Sequence, residues 1–103
     1  MAEKHTLGII VNSNKYFGFV TRLADAALGK GKQVRIHLLG SGWAFIKTDA
    51  CNRLSHLTQI TLCAFSAQQN ASQNMNDIEP CISLVPPQAL SMFLQGCDRY
   101  VVF

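Results

Sequence analysis

Short apolar runs alternate along this chain with segments whose apolar residues return at helical spacing. The runs "TLGIIV" (6–11), "QVRIHLL" (33–39), "QITL" (59–62), "ISLV" (82–85) and "RYVVF" (99–103) have the length and branched side chains of strands. Between the first two, Tyr16, Phe19, Val20, Leu23, Ala26 and Ala27 recur with a helical period, so a helix is expected over 15–28. "NSN" at 12–14 offers turn and N-cap chemistry before it, and Gly29 and Gly31 are expected to stop it. Thr48 or Asp49 is placed to cap a short helix reaching about Leu57. A polar helix is expected over 66–75, followed by a loop at 76–80. Pro86 and Pro87 suit the first turn of a last helix, with Leu90, Phe93 and Leu94 as its buried stripe and Gly96 as its end.

Strand and helix in strict alternation, with short connections, predict one α/β domain over 1–103. The expected fold is a flavodoxin-like three-layer sandwich: five mainly parallel strands with helices on both faces. Strand order is not readable from the pattern. The second strand alternates Val34, Ile36 and Leu38 with Arg35 and His37, so its polar face is expected to meet solvent or a subunit interface.

Composition narrows the function classes. The chain has 103 residues, 49% hydrophobic and 15% charged, as a compact domain requires. A net charge of +3 on scattered basic residues does not make a nucleic-acid face. No apolar stretch approaches the roughly 18 residues of a membrane span, and "MAEKHTLGII" lacks the apolar core of a signal peptide. A cytoplasmic protein with reduced thiols is expected. The cysteines at 51, 63, 81 and 97 include no C-x-x-C pair, and the histidines at 5, 37 and 56 do not cluster, so no metal site is expected.

In a parallel sheet of this type, ligands bind beyond the carboxyl ends of the strands. That rule gathers Asn12, Ser13, Asn14 and Lys15, then Gly40, Gly42 and Trp43, then Cys63–Ser66 and Val85–Pro87. "GSGWAF" has Phe45 where the third glycine of a phosphate-binding loop would stand, which favours a plain turn. Cys63 is the thiol that falls clearly in the set. At the start of a helix its thiolate would be favoured by free backbone N–H groups, and the thiolate is the nucleophilic form. Ser66 would add a hydroxyl donor or cap the helix. A buried cysteine that merely fills space is the competing reading, and it is the one expected for Cys51, Cys81 and Cys97.

The opening "LGIIVNS", the stretch "ALGKGKQVRIHLLGSGWAFI", the segment Cys63–Ala67 and the closing "DRYVVF" together resemble the DsrE/DsrF-like family, which includes sulfur-relay subunits of the TusD type. The resemblance implies that Cys63 carries sulfane sulfur as a persulfide, without metal or organic cofactor. It also implies a homo-oligomer, trimer or hexamer, that exchanges sulfur with donor and acceptor proteins. Where sulfur-relay members carry a basic segment after the cysteine, this chain has "QQNASQ". Two other readings stand beside this one: a non-catalytic oligomeric module binding a small ligand in the same crevice, and a thiol redox protein.

Overall fold

The computed structural model describes residues 5–64 and 82–103. Five strands form one all-parallel sheet: β1 (Thr6–Val11), β2 (Gln33–Leu38), β3 (Gln59–Cys63), β4 (Ile82–Val85) and β5 (Arg99–Val102). Their order is β4-β3-β2-β1-β5. The chain steps in one direction from β1 to β4, then crosses back over the whole sheet to lay β5 beside β1. A right-handed crossover must put its connection on opposite faces for opposite directions of travel. Helices α1 (Phe17–Gly29) and α2 (Asp49–Ser55) accordingly lie on one face, and α3 (Ala89–Gln95) lies on the other. The expected three-layer sandwich is the fold observed.

The two outer layers are unequal. Alternate residues of the central strands, Ile9, Val11, Val34, Ile36, Leu38, Ile60 and Leu62, point toward α1 and α2 and are buried. They form the core with Val20, Ala24 and Ala27 of α1 and with Cys51 and Leu54 of α2. Phe45 completes it, fully buried and edge-on to Phe17 at 5.1 Å between ring centres. Burying a side chain of this size contributes about 1.5–3 kcal/mol. On the other face α3 has no fully buried residue. A seven-residue helix is about 10 Å long, against about 19 Å across five strands, so it covers only part of that face.

Several local expectations change. The first helix begins at Phe17, not Lys15, and no side chain caps it; the hydroxyl of Ser13 instead accepts from the N–H of Lys15 at 3.2 Å. Its buried stripe is Val20, Ala24 and Ala27, while Tyr16, Phe19 and Ala26 face outward. Two alanines on the stripe let the helix approach the sheet closely, and the large aromatics fall on its flank. Gly29 is the last helical residue, and Gly31 takes the left-handed backbone (φ 77°) that turns the chain into β2. Gly40–Lys47 forms a 3-10 helix that the pattern left unassigned. Thr48 does cap α2: its hydroxyl accepts from the N–H of Cys51 at 3.1 Å and donates to the carbonyl of Phe45 at 2.7 Å. Pro86 and Pro87 precede the last helix instead of lying in its first turn; their carbonyls accept from Ala89 and Leu90. Leu90, Phe93 and Leu94 are only half-buried. The polar face of β2 is partly covered by α3: His37 is buried beneath Phe93, and Arg35 is half-exposed. The helix expected over 66–75, the loop at 76–80 and Cys81 lie outside the described residues. Among the described residues no helix is long and apolar enough to cross a membrane.

Candidate functional site

Cys63 is the last residue of β3, paired in register with Val85 of β4, and Ala64 after it has helical backbone. Alternation along the strand puts its side chain, like that of Thr61, on the α3 face of the sheet. Flanked by β2 and β4, it is only 6% exposed. Ser66 lies outside the described residues. Cys51 is fully buried in the core, as the filler reading expects. Cys97 is half-buried, donates its S–H to the carbonyl of Phe93 at 3.2 Å, and packs against Gly8, where a side chain would meet its sulfur. Burial pushes the Cys97 thiol upward in pKa; the Arg35 guanidinium opposes this and Asp98 adds to it.

The other crevice residues form a separate group. Gly40 has a left-handed backbone (φ 56°) and stands against the side chain of Asn12. The hydroxyl of Ser41 donates to the Asn12 carbonyl at 3.4 Å. Gly42 is pressed against the carbonyl of Val11, and its own N–H is donated to Leu39 at 3.0 Å. That amide is therefore occupied and does not form part of a phosphate cradle. Trp43 is half-buried, with the Lys47 ammonium 4.6 Å above its ring. Asn14 and Lys15 are exposed, and Ser13 is half-exposed. Thus Asn12 meets Gly40–Gly42 at the ends of β1 and β2, whereas Cys63 meets Val85 at the ends of β3 and β4.

A third feature lies on the α3 face. Arg35, His37, Gln59, Thr61, Val85, Ala89, Met92 and Phe93 line a half-open cavity of about 230 Å³ between helix and sheet. His37 and Thr61 stand side by side in register, with Nδ1 2.8 Å from the threonine oxygen. The hydroxyl of Thr61 also reaches the carbonyl of Ile36 at 3.4 Å. When it donates there, His37 Nδ1 carries the proton and Nε2 presents a lone pair. Phe93 packs on the imidazole at 5.5 Å between ring centres. Burial lowers the pKa of His37, so the ring is neutral at pH 7. Sequence reasoning gave His37 a structural or interface role and did not bring Arg35, Gln59, Thr61 or Phe93 together. The alternation of β2 was the one signal of this cavity; without strand order it could not be assigned a covering helix.

Among the described residues no group of three or more metal-ligating side chains gathers. No family model matches the chain, and no curated protein matches it.

Proposed function

We propose that the protein is a sulfur carrier of the DsrE/DsrF-like type, with Cys63 as the carrier thiol. The observation that supports this most is the position of Cys63, at the carboxyl end of an inner strand, directly before a residue of helical backbone, Ala64. In the transfer, the Cys63 thiolate attacks the outer, sulfane sulfur of a donor persulfide. A new S–S bond forms to Cys63, the donor's S–S bond breaks, and the donor leaves as its thiolate. No net oxidation occurs and no cofactor takes part. The reverse step hands the sulfur to an acceptor thiolate. At 6% exposure, Cys63 needs local opening before a donor reaches it, so loading is slower than for a free thiol. Donor and acceptor proteins, and a trimeric or hexameric assembly, belong to this same proposal.

Intact-protein mass spectrometry after exposure to polysulfide, followed by peptide mapping, tests it. Added sulfur mass is expected on Cys63 alone. Cys63→Ser abolishes it, whereas Cys51→Ser and Cys97→Ser do not. Equal loading of all thiols, or none, overturns the proposal.

A second reading has its own support in the cavity beside His37: a small-ligand module without thiol chemistry. It predicts that a ligand raising the melting temperature keeps its effect in Cys63→Ser and loses it in His37→Phe.

A further inference from the structure

The free edge of β5 is a surface on which the backbone, the side chains and the charges agree. Among the described residues, Tyr16 (44%), Phe19 (59%), Tyr100 (53%), Val101 (37%) and Val102 (60%) are large apolar side chains left exposed. They flank the edge on both faces: Val101, in register with Ile9, lies on the α1 side with Tyr16 and Phe19, and Tyr100 and Val102, in register with Gly8 and Ile10, lie on the α3 side. Tyr100–Val102 is the edge strand itself. The Tyr16 ring lies 6.4 Å from that of Phe103 and 6.3 Å from that of Phe19. Every residue of β5 is exposed, and among the described residues no helix, bulge or proline guards this edge.

Backbone parity then selects the occupant. Phe103 turns both polar groups inward: its N–H donates to Ile10 at 2.8 Å, and its carbonyl accepts from Asn12 at 2.7 Å. Alternation turns Val101 inward as well, and it sends the N–H and C=O of Tyr100 and Val102 outward. Asp98 donates its N–H to Thr6 at 2.9 Å, so that amide is not free for an outer strand. We propose that a second copy of this chain adds its own β5 antiparallel to this edge, about a two-fold axis through Val101. In that register Tyr100 pairs with the partner's Val102, and Val102 pairs with the partner's Tyr100. Each pair exchanges both of its outward N–H···O bonds. Val101 meets the partner's Val101 in the closer, non-hydrogen-bonded position.

The register also resolves the side chains. Aromatic and β-branched residues opposite one another are a favourable cross-strand pairing. Arg99 does not face its own copy; it lands opposite the partner's Phe103, beside the partner's Tyr16, where a guanidinium is attracted to the ring faces. A shift by two residues would centre the axis on Tyr100 and require the N–H of Asp98, which already serves Thr6. The two-fold closes on itself and leaves no unpaired edge on this side of either sheet. The assembly does not depend on thiol chemistry at Cys63.

Light scattering on the full chain tests the proposal together with hydrogen exchange. The wild type is expected at an even multiple of the protomer mass. The amides of Tyr100 and Val102 are expected to be protected, and their protection lost on dilution. Val102→Pro removes an outward donor while leaving the inward ladder intact, so it should halve the assembly mass with the circular dichroism unchanged. Val102→Thr keeps the donor and should keep the mass. A wild type that is monomeric at all concentrations overturns the proposal, and so does an odd assembly, because, of the trimer and hexamer named above, the two-fold admits only the hexamer. So does a folded Val102→Pro of undiminished mass. Should Val102→Pro fail to fold, free exchange at Tyr100 and Val102 in the wild type overturns it by itself.

Discussion

His37 sits where polar chemistry is least affordable, with 2% of its surface exposed and one ring nitrogen on Thr61. Burial disfavours its charged form, so its folded pKa lies below the ordinary 6.5. In the unfolded chain the ring protonates near 6.5, while in the folded one it resists. Below that pH the unfolded state holds more protons, and folding stability must fall as pH falls. The unfolding free energy from urea titrations is expected to drop between about pH 7.5 and 5.5, by up to about 1.4 kcal/mol per pH unit. In His37→Gln that part of the slope should vanish. Gly42 constrains the fold sterically: a methyl group there would overlap the Val11 backbone carbonyl. Gly42→Ala should cost about 2 kcal/mol and move the urea midpoint down by about 1 M. The exposed Asp25–Arg53 pair, although bidentate at 2.8 and 3.0 Å, is worth little by comparison.

Among the elements, α2 was the most legible from local chemistry. A threonine before an Asp-led turn specifies a start, and the cap is made as that pattern requires. Thr48→Ala should destabilise the protein by about 1 kcal/mol, measured by thermal or urea unfolding. The same substitution removes the hydroxyl bond to the Phe45 carbonyl, which keeps the backbone N–H of Thr48 at 3.0 Å. The first helix was legible in existence but not in orientation. Periodicity gave one stripe of Tyr16, Phe19, Val20, Leu23, Ala26 and Ala27, but the buried one is Val20, Ala24 and Ala27. Close packing on a sheet selects the smaller. The "GSGWAFIK" segment was opaque because its 3-10 helix is held by Phe45 inserting into the core and by Gly42 against Val11, neither of which is a local signal.

For the whole molecule, the α/β class followed from the alternation of periods, and all five strands stand where the apolar runs placed them. Strand order did not, since no local feature distinguishes a strand that joins beside β4 from one that returns to β1. The candidate site was half legible for the same reason. The carboxyl-end rule identified the crevice loops, yet Asn12 with Gly40–Gly42 and Cys63 with Val85 separate into two groups once the order is known. The cavity under α3 depends on a helix crossing from the far edge, which sequence spacing does not encode.

That return crossing has a consequence in time. Thr6 donates its backbone N–H to the carboxylate of Asp98, 92 residues later, and Asn12 donates to Phe103. A chain made at about 5–20 residues per second therefore emerges with β1 long before β5 exists. For about 5–20 s the Gly-Ile-Ile-Val edge of the central sheet has one flank unpaired on the nascent chain. Four strands can assemble in that interval, but the sheet stays open at its first-made strand until the last one arrives. During that interval the nascent chain is most open to capture by a chaperone or by a neighbour on the same message.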